Sequence, residues 1–406
     1  MNVLFLTMSP GMENIEVSGI YTDLMRKFRD EGHDVYIIYP RERRLRLQTS
    51  LKEEGRVHTL GVKTLNLTKT NLFEKGLGQL LVECQYKRAL RTHFGHVKFD
   101  LILYSTPPIT FINVIRFAQK NNPKALTYLM LKDIFPQNAV DMGMLTKHGL
   151  KGIIYKFFRH KEKELYKISD HIGCMSPANV KFVLEHNPYL DPSKLEIAPN
   201  SYDLPHSKME CFDKKAIRLK YGLPADKPIF VYGGNMGRPQ GIPFLLECIK
   251  VLKDRDNCHF VIVGDGTEYV KLNDWVTEVK PKAVSLFKSI PKVDYDNLIE
   301  ACDVGLVFLD YKFSIPNYPS RLLPYIMKKK PIIAATDPNS DVGSIAVANG
   351  YGFWVPSNSV DKFVEAVDRM LDSNIQLMGE RGYEFYRRNY TTGHTYNAIM
   401  QHFINL

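Results

Sequence analysis

The chain has 406 residues, 44% of them hydrophobic and 24% charged, a balance that fits a soluble globular protein with room for two domains. No apolar run approaches the roughly 20 residues of a membrane-spanning helix. The six cysteines (84, 174, 211, 248, 258 and 302) form no CxxC pair and no metal-ligand spacing, which argues against a disulfide framework or structural zinc and fits a reduced cytoplasm.

The net charge of +10 is unevenly spread. Residues 1–200 hold 29 Lys+Arg against 20 Asp+Glu, and the remainder holds 25 against 24. The first half is therefore expected to face something anionic: a phospholipid surface, a phosphorylated acceptor or nucleic acid.

In chain order, MNVLFLTMSPG opens without a basic leader and reads as a buried strand, so a signal peptide is not expected. YTDLMRKFRDEGHDV reads as a helix closed by Gly32, followed by a second strand. His33, in that turn, reads as structural. NVLFLT, DVYIIY, DLILYS, ALTYLML and HIGCMS are short, nearly continuous apolar runs separated by helical patterns. Strands buried on both faces read this way, so the first sheet should be parallel. After DVYIIY come four arginines, 41, 43, 44 and 46.

Lys147 to Lys167 (KHGLKGIIYKFFRHKEKELYK) holds seven Lys+Arg and two Glu. Leu150, Ile153, Ile154, Phe157, Phe158 and Leu165 share one helical face. Two readings stay open: a core-packing helix with a solvated basic face, or a helix lying on an anionic membrane.

The second half repeats the alternation. PIFVYGG, HFVIVGDG, AVSLFKS, VGLVFLD and PIIAATD are strands, and IPFLLECIKVLKD, DYDNLIEAC and SVDKFVEAVDRMLDS are helices. Asp294-Tyr295-Asp296 has the spacing of a DxD metal motif but opens a helix, where Asp294 as a cap explains it. SIPNYPSRLLPYIMKKKPIIAATD reads as loop, helix and buried strand. With Ser320 as the cap, Pro324 falls at the edge of the first turn, where a missing N–H costs least.

The chain is thus expected to form an α/β protein of two Rossmann-like parallel-sheet domains facing a central cleft. The first spans 1–196, with a helix from 388–406 packing back on it, and the second spans 197–387.

The order of segments carries a resemblance over almost the whole chain. SGIYTDLMRKFRDEGHDV, IAPNSYD, VYGGNMGRPQG, VIVGDG, IEACDVGLVFL and NGYGFWV together resemble the retaining GT-B glycosyltransferases of family 4, with the bacterial O-antigen and capsule enzymes, fucosamine transferases included, as the most similar branch. The resemblance implies transfer of an N-acetylated or deoxy amino sugar from a UDP-sugar to a polyprenyl-diphosphate-linked glycan, with no metal cofactor. It also implies a cytoplasmic protein touching the inner face of the plasma membrane.

By the same resemblance, Ser320, Arg321, Gly234, Asn235 and Arg238 would hold the donor diphosphate, and Gly264, Gly266, Ser289 and Ile290 the nucleotide. Gly19, Lys132 and Asn138 would hold the acceptor, with Asp133 and Arg321 catalytic. Asp133 follows a strand and can orient or deprotonate an acceptor hydroxyl; a helix N-cap is the other reading.

The sequence departs from the family at four places. Pro316 and Pro324 stand where it usually has glutamates, and Asn235 and Gln240 where it often has an arginine and a lysine. These departures favour a rival reading, a catalytically inactive partner subunit in polysaccharide assembly. A sugar-nucleotide epimerase would need acid–base carboxylates that cannot be placed. No nucleic-acid recognition module is present.

Overall fold

The computed structural model describes residues 1–67, 70, 72–203 and 213–403, and Cys211 lies outside them. The chain divides into two compact units, one of residues 1–203 with 392–406, the other of residues 204–391.

In the first unit, the strands are β1 (Asn2–Leu6), β2 (Asp34–Glu42), β3 (Ser50–Glu54), β4 (Val57–Thr64), β5 (Leu101–Ser105), β6 (Leu126–Leu131), β7 (His171–Cys174) and β8 (Leu195–Ile197). The helices between them are α1 (Ile20–Asp30), α2 (Leu72–Phe94), α3 (Ile112–Asn121), α4 (Gln137–Asp141), α5 (Gly149–Ile168) and α6 (Pro177–His186). The sheet order is β3-β4-β2-β1-β5-β6-β7-β8, parallel except for the β3–β4 hairpin. β1, β5 and β6 are almost wholly buried, which is why their sequences run apolar without alternation. Gly32, at φ +85°, turns the chain from α1 into β2. His33 bridges the amino terminus and Tyr396, whose hydroxyl is 2.9 Å from Nε2.

The first unit continues past Ile197 as far as Asp203, because polar contacts hold that stretch down. Asp203 accepts from Arg26 at 2.9 Å and its N–H donates to the buried Asp23 at 2.9 Å.

In the second unit, the strands are β9 (Ile229–Asn235), β10 (His259–Asp265), β11 (Val284–Phe287), β12 (Val304–Phe308), β13 (Ile332–Thr336) and β14 (Gly352–Pro356). They form a fully parallel sheet in the order β11-β10-β9-β12-β13-β14, with order reversal at β9/β12. Helices α7 (Lys214–Lys220), α8 (Ile242–Leu252), α9 (Tyr269–Val279), α10 (Lys292–Ala301), α11 (Leu322–Met327), α12 (Val342–Ala348), α13 (Val360–Leu371) and α14 (Ile375–Asn389) accompany it. The core on one face joins Phe230, Phe260, Phe308 and Phe363 to the apolar stripe of α8.

After α14 the chain returns to the first unit, where α15 (Thr392–Met400) packs on α1. Residues 388 and 389 thus close α14, and the returning segment starts at Thr392. Its Ile399 is fully buried beside Val3, Phe5, Leu24 and Phe28.

Candidate functional site

Ligands of open parallel sheets bind outside the carboxyl ends of the strands, and most of the candidate residues lie there. In the second unit, β9 ends in Gly233-Gly234-Asn235 and β10 in Gly264-Asp265, with Gly266 after it. Here glycine is required. A Cβ on Gly264 would lie 1.8 Å from the carbonyl oxygen of Gly234, and one on Gly266 2.6 Å from the backbone of Met236. Both have φ near +155°, which side chains rarely adopt. The two strand ends are thus brought close enough to leave bare backbone at the edge.

Beside Gly234 lies the guanidinium of Arg321, where a Cβ on that glycine would be 3.6 Å away. Arg321 stacks over the Tyr232 ring, 4.7 Å from its centroid, and its Nη1 is buried without a hydrogen-bond partner. A buried guanidinium nitrogen with nothing to donate to is costly, and a phosphate oxygen would satisfy it. Two further tyrosines close the site. The Gly233 N–H donates to Tyr325 Oη at 3.0 Å, and Tyr295 Oη lies 3.4 Å from Tyr325 Oη. Burial raises both phenols, Tyr325 to about 12, so they stay neutral.

Several expectations change here. The helix after the Pro-Ser-Arg stretch begins at Leu322, so Ser320 does not cap it. Ser320 and Arg321 form the turn that leads in, joined by Leu322 and Leu323 N–H bonds to Pro319 and Ser320 carbonyls. Pro324 remains in the first turn, where helical N–H groups lack partners in any case. Asp294 is not a cap either: α10 starts at Lys292, and Asp294 pairs with Lys220 at 2.7 Å while Asp296 pairs with Lys292 at 2.9 Å. The functional-looking residue of that triplet is the tyrosine between the two aspartates.

Asn235 and Gln240 are hydrogen-bonded to each other at 3.1 Å, and Arg238 is exposed in the 3-10 turn between them. Ser289 and Ile290 lie in the segment following β11, with Ser289 exposed. Tyr232, Tyr295 and Tyr325 carry no signal that sequence reasoning could have used, since each sits in an ordinary strand or helix pattern.

In the first unit, β6 runs out into Lys132 and Asp133. Thr106, at the end of β5, organises them: its Oγ1 accepts the Lys132 N–H at 3.0 Å and the Asp133 N–H at 3.2 Å. The Asp133 carboxylate receives Asn138 Nδ2 on both oxygens at 2.8 Å, and a backbone N–H at Ile134. Burial nonetheless raises Asp133 to about 6, against these two donors. Lys132 Nζ donates to the Ala198 carbonyl at 3.0 Å, and burial lowers it to about 7. An acid and a base tuned toward neutrality on adjacent residues is a pattern common in sites that move protons.

The cap reading for Asp133 falls away, because α4 starts four residues later, after Pro136. Asn138 directs its amide at Asp133, and its Oδ1 is buried without a partner. Gly19 precedes α1, its N–H donating to Asp23 at 2.9 Å, and Tyr21 two residues on hydrogen-bonds Ser105, next to Thr106. Among the described residues, no group of three or more His, Cys, Asp or Glu is arranged to hold a metal.

Residues 213–385, in the second unit, match the family described as glycosyl transferases group 1. Over 329 residues the chain is 23% identical to the probable glycosyltransferase WbjE of Pseudomonas aeruginosa, covering 80% of this chain and 78% of that one. Two solved structures share its architecture. Sucrose-phosphate synthase of Thermosynechococcus elongatus has a TM-score of 0.76 at 15% identity, covering 100% of this chain and 98% of its own. HepE of Anabaena, solved with UDP and with UDP-glucose, has a TM-score of 0.69 at 13% identity over 100% of both chains. The fold is GT-B.

Proposed function

We propose that this chain is a retaining glycosyltransferase that moves an N-acetylated or deoxy amino sugar from a UDP-sugar to a polyprenyl-diphosphate-linked glycan during surface polysaccharide assembly. The observation that carries the reading is the buried, unpartnered Nη1 of Arg321, set beside the bare backbone of Gly234 in the region that matches group 1 glycosyl transferases. That nitrogen would donate to the donor diphosphate. As the glycosidic bond breaks, negative charge grows on the leaving nucleotide, and a fixed guanidinium lowers the barrier most when it is already desolvated.

The UDP assignment is supported by HepE, whose structures hold UDP and UDP-glucose. Exposed Arg238 would supply further charge, and Gly264, Gly266, Ser289 and Ile290 would line the nucleotide. Arginine and backbone N–H groups meet the charge in this reading, so the reaction needs no metal.

On the acceptor side, Asp133 would take the proton from, or orient, the attacking hydroxyl, held in place by Asn138 and Thr106. Lys132 and Gly19 would border the acceptor. The sugar class, acceptor class and retention rest on the family resemblance.

Calorimetric titration with UDP, then GDP, repeated on Arg321→Ala, tests the reading. UDP binding in the micromolar range without metal, weakened at least about 100-fold in the variant by loss of a charge-assisted pair, is expected. Absence of binding by either nucleotide would favour the inactive partner subunit, with Pro316 and Pro324 in place of carboxylates as the cause.

A further inference from the structure

Two glycines on neighbouring strands of the second sheet make room for tyrosines. A Cβ on Gly305 of β12 would lie 2.4 Å from the Tyr325 ring, and one on Gly233 of β9 would lie 1.7 Å from Tyr295 Oη. Both side chains are thus pressed against strand backbone, Tyr325 from α11 and Tyr295 from the start of α10. Tyr295 ends against the last buried residue of β9. The next residue is the exposed Gly234, with the Arg321 guanidinium beside it.

The hydrogen bonds in this cluster run in one direction. Gly233 N–H donates to Tyr325 Oη at 3.0 Å, so that oxygen accepts and its own proton goes elsewhere. Tyr325 is fully buried, and Tyr295 Oη, 3.4 Å away, is the acceptor in reach among the described residues. Were Tyr295 to donate instead, the Tyr325 proton would be buried with no acceptor, which is costly. Tyr325 therefore donates to Tyr295, and the O–H of Tyr295, a partly exposed residue, is the open end of the chain. Each bond polarises the next, so this last hydroxyl is the best donor of the series. Burial first, then the neighbouring Tyr325, raise that phenol well above its ordinary range, so it keeps its proton at any working pH.

Arg321 is near enough to both phenols to oppose that rise, so its charge and the Tyr295 hydroxyl stand together at the strand end. Asn235 and Gln240 on the other side of Gly234 are neutral and bonded to each other at 3.1 Å. An anion at this edge therefore draws on neutral donors as well as on Arg321.

We propose that Tyr295 is a binding residue for the donor, its hydroxyl donating to a diphosphate oxygen beside Arg321 while Tyr325 aims it. The assignment rests on the UDP-sugar reading above and deepens it. As the glycosidic bond breaks and the diphosphate gains charge, a hydroxyl already fixed through Tyr325 and Gly233 strengthens its bond without having to reorganise.

UDP is titrated by calorimetry into wild type, Tyr295→Phe and Tyr325→Phe, and uridine is measured as a competitor of UDP in each. Phenylalanine at 295 keeps the ring and removes one oxygen. UDP should bind Tyr295→Phe about tenfold more weakly, the loss of one hydrogen bond to a charged acceptor, while uridine binds it as it binds wild type. Tyr325→Phe should cost less UDP affinity, because Tyr295 keeps its hydroxyl and loses only the bond that aims it. Unchanged UDP affinity in Tyr295→Phe, equal losses of UDP and uridine, or a larger loss in Tyr325→Phe would each overturn the assignment and leave the donor reading standing. A wild type that binds neither UDP nor GDP would sink the donor reading itself, and this assignment with it.

Discussion

Replacing Asp133 by asparagine should make the protein more stable at alkaline pH and no more stable at acid pH. In the fold the carboxyl is raised to about 6, roughly two units above its ordinary value near 4. A raised acid gives stability that is fully present below about pH 4 and is lost as pH climbs through 6. At pH 8 the ionised, desolvated carboxylate therefore costs the fold about 3 kcal/mol relative to its protonated form, at 1.36 kcal/mol per unit. Asparagine removes that cost while forfeiting one of the two Asn138 bonds, worth about 1 kcal/mol. The net gain is about 2 kcal/mol at pH 8, turning into a loss of about 1 kcal/mol at pH 4.

Both tryptophans, 275 and 354, lie in the second unit and would not report this. Urea unfolding by circular dichroism, with hydrogen exchange of the β5 and β6 amides, reads the first unit directly. A pH-independent difference, or a variant less stable than wild type at pH 8, would refute the reasoning. The stability gained should come with loss of transfer activity, the usual trade at a site kept electrostatically uncomfortable.

Two further substitutions probe the second unit. Gly264→Ala would drive a Cβ to 1.8 Å from the Gly234 carbonyl at a φ of +155°, so a loss of about 3–5 kcal/mol in urea unfolding is expected, with UDP binding lost as the strand ends separate. Arg218 is 3% exposed and donates to the carbonyls of Ala301, Pro224, Ala225 and Lys227 and to Asp303. Arg218→Met should cost about 3–5 kcal/mol, because the Asp303 carboxylate and four carbonyls lose a donor together. Arg218→Lys should recover only a small part of it, since an ammonium cannot fork.

Buried parallel strands were legible because helices on both faces erase alternation, so continuous apolar runs had one sensible reading. The β3–β4 hairpin was not. SLKEE lies on the outer edge with only Leu51 half-buried, and an edge strand of polar residues carries no hydrophobic signal. β14 also escaped a strand reading, since its GFWVP has Trp354 facing outward next to α12.

Among the site residues, glycines and charges announced themselves, and Arg321 and Asp133 both stand at the carboxyl edge of their sheets. Their supports did not. Thr106, Tyr232, Tyr295 and Tyr325 act through distances set by tertiary packing, and a hydroxyl on a strand end looks the same whether or not another chain segment reaches it. The start of α11 was misplaced by one residue because Ser320 has the chemistry of a cap, whereas the backbone there closes a tight turn first.

The return of the chain has a consequence for the order of synthesis. Residues 1–203 of the first unit leave the ribosome before the second unit does, yet one wall of their core is Ile399, and the Thr392 N–H and Thr395 hydroxyl fasten the stretch from Pro199 to Tyr202. The half translated first must therefore wait, with that wall open, while nearly two hundred residues of the second unit are made. Ending the chain after Thr391 would spare the second unit and cripple the first.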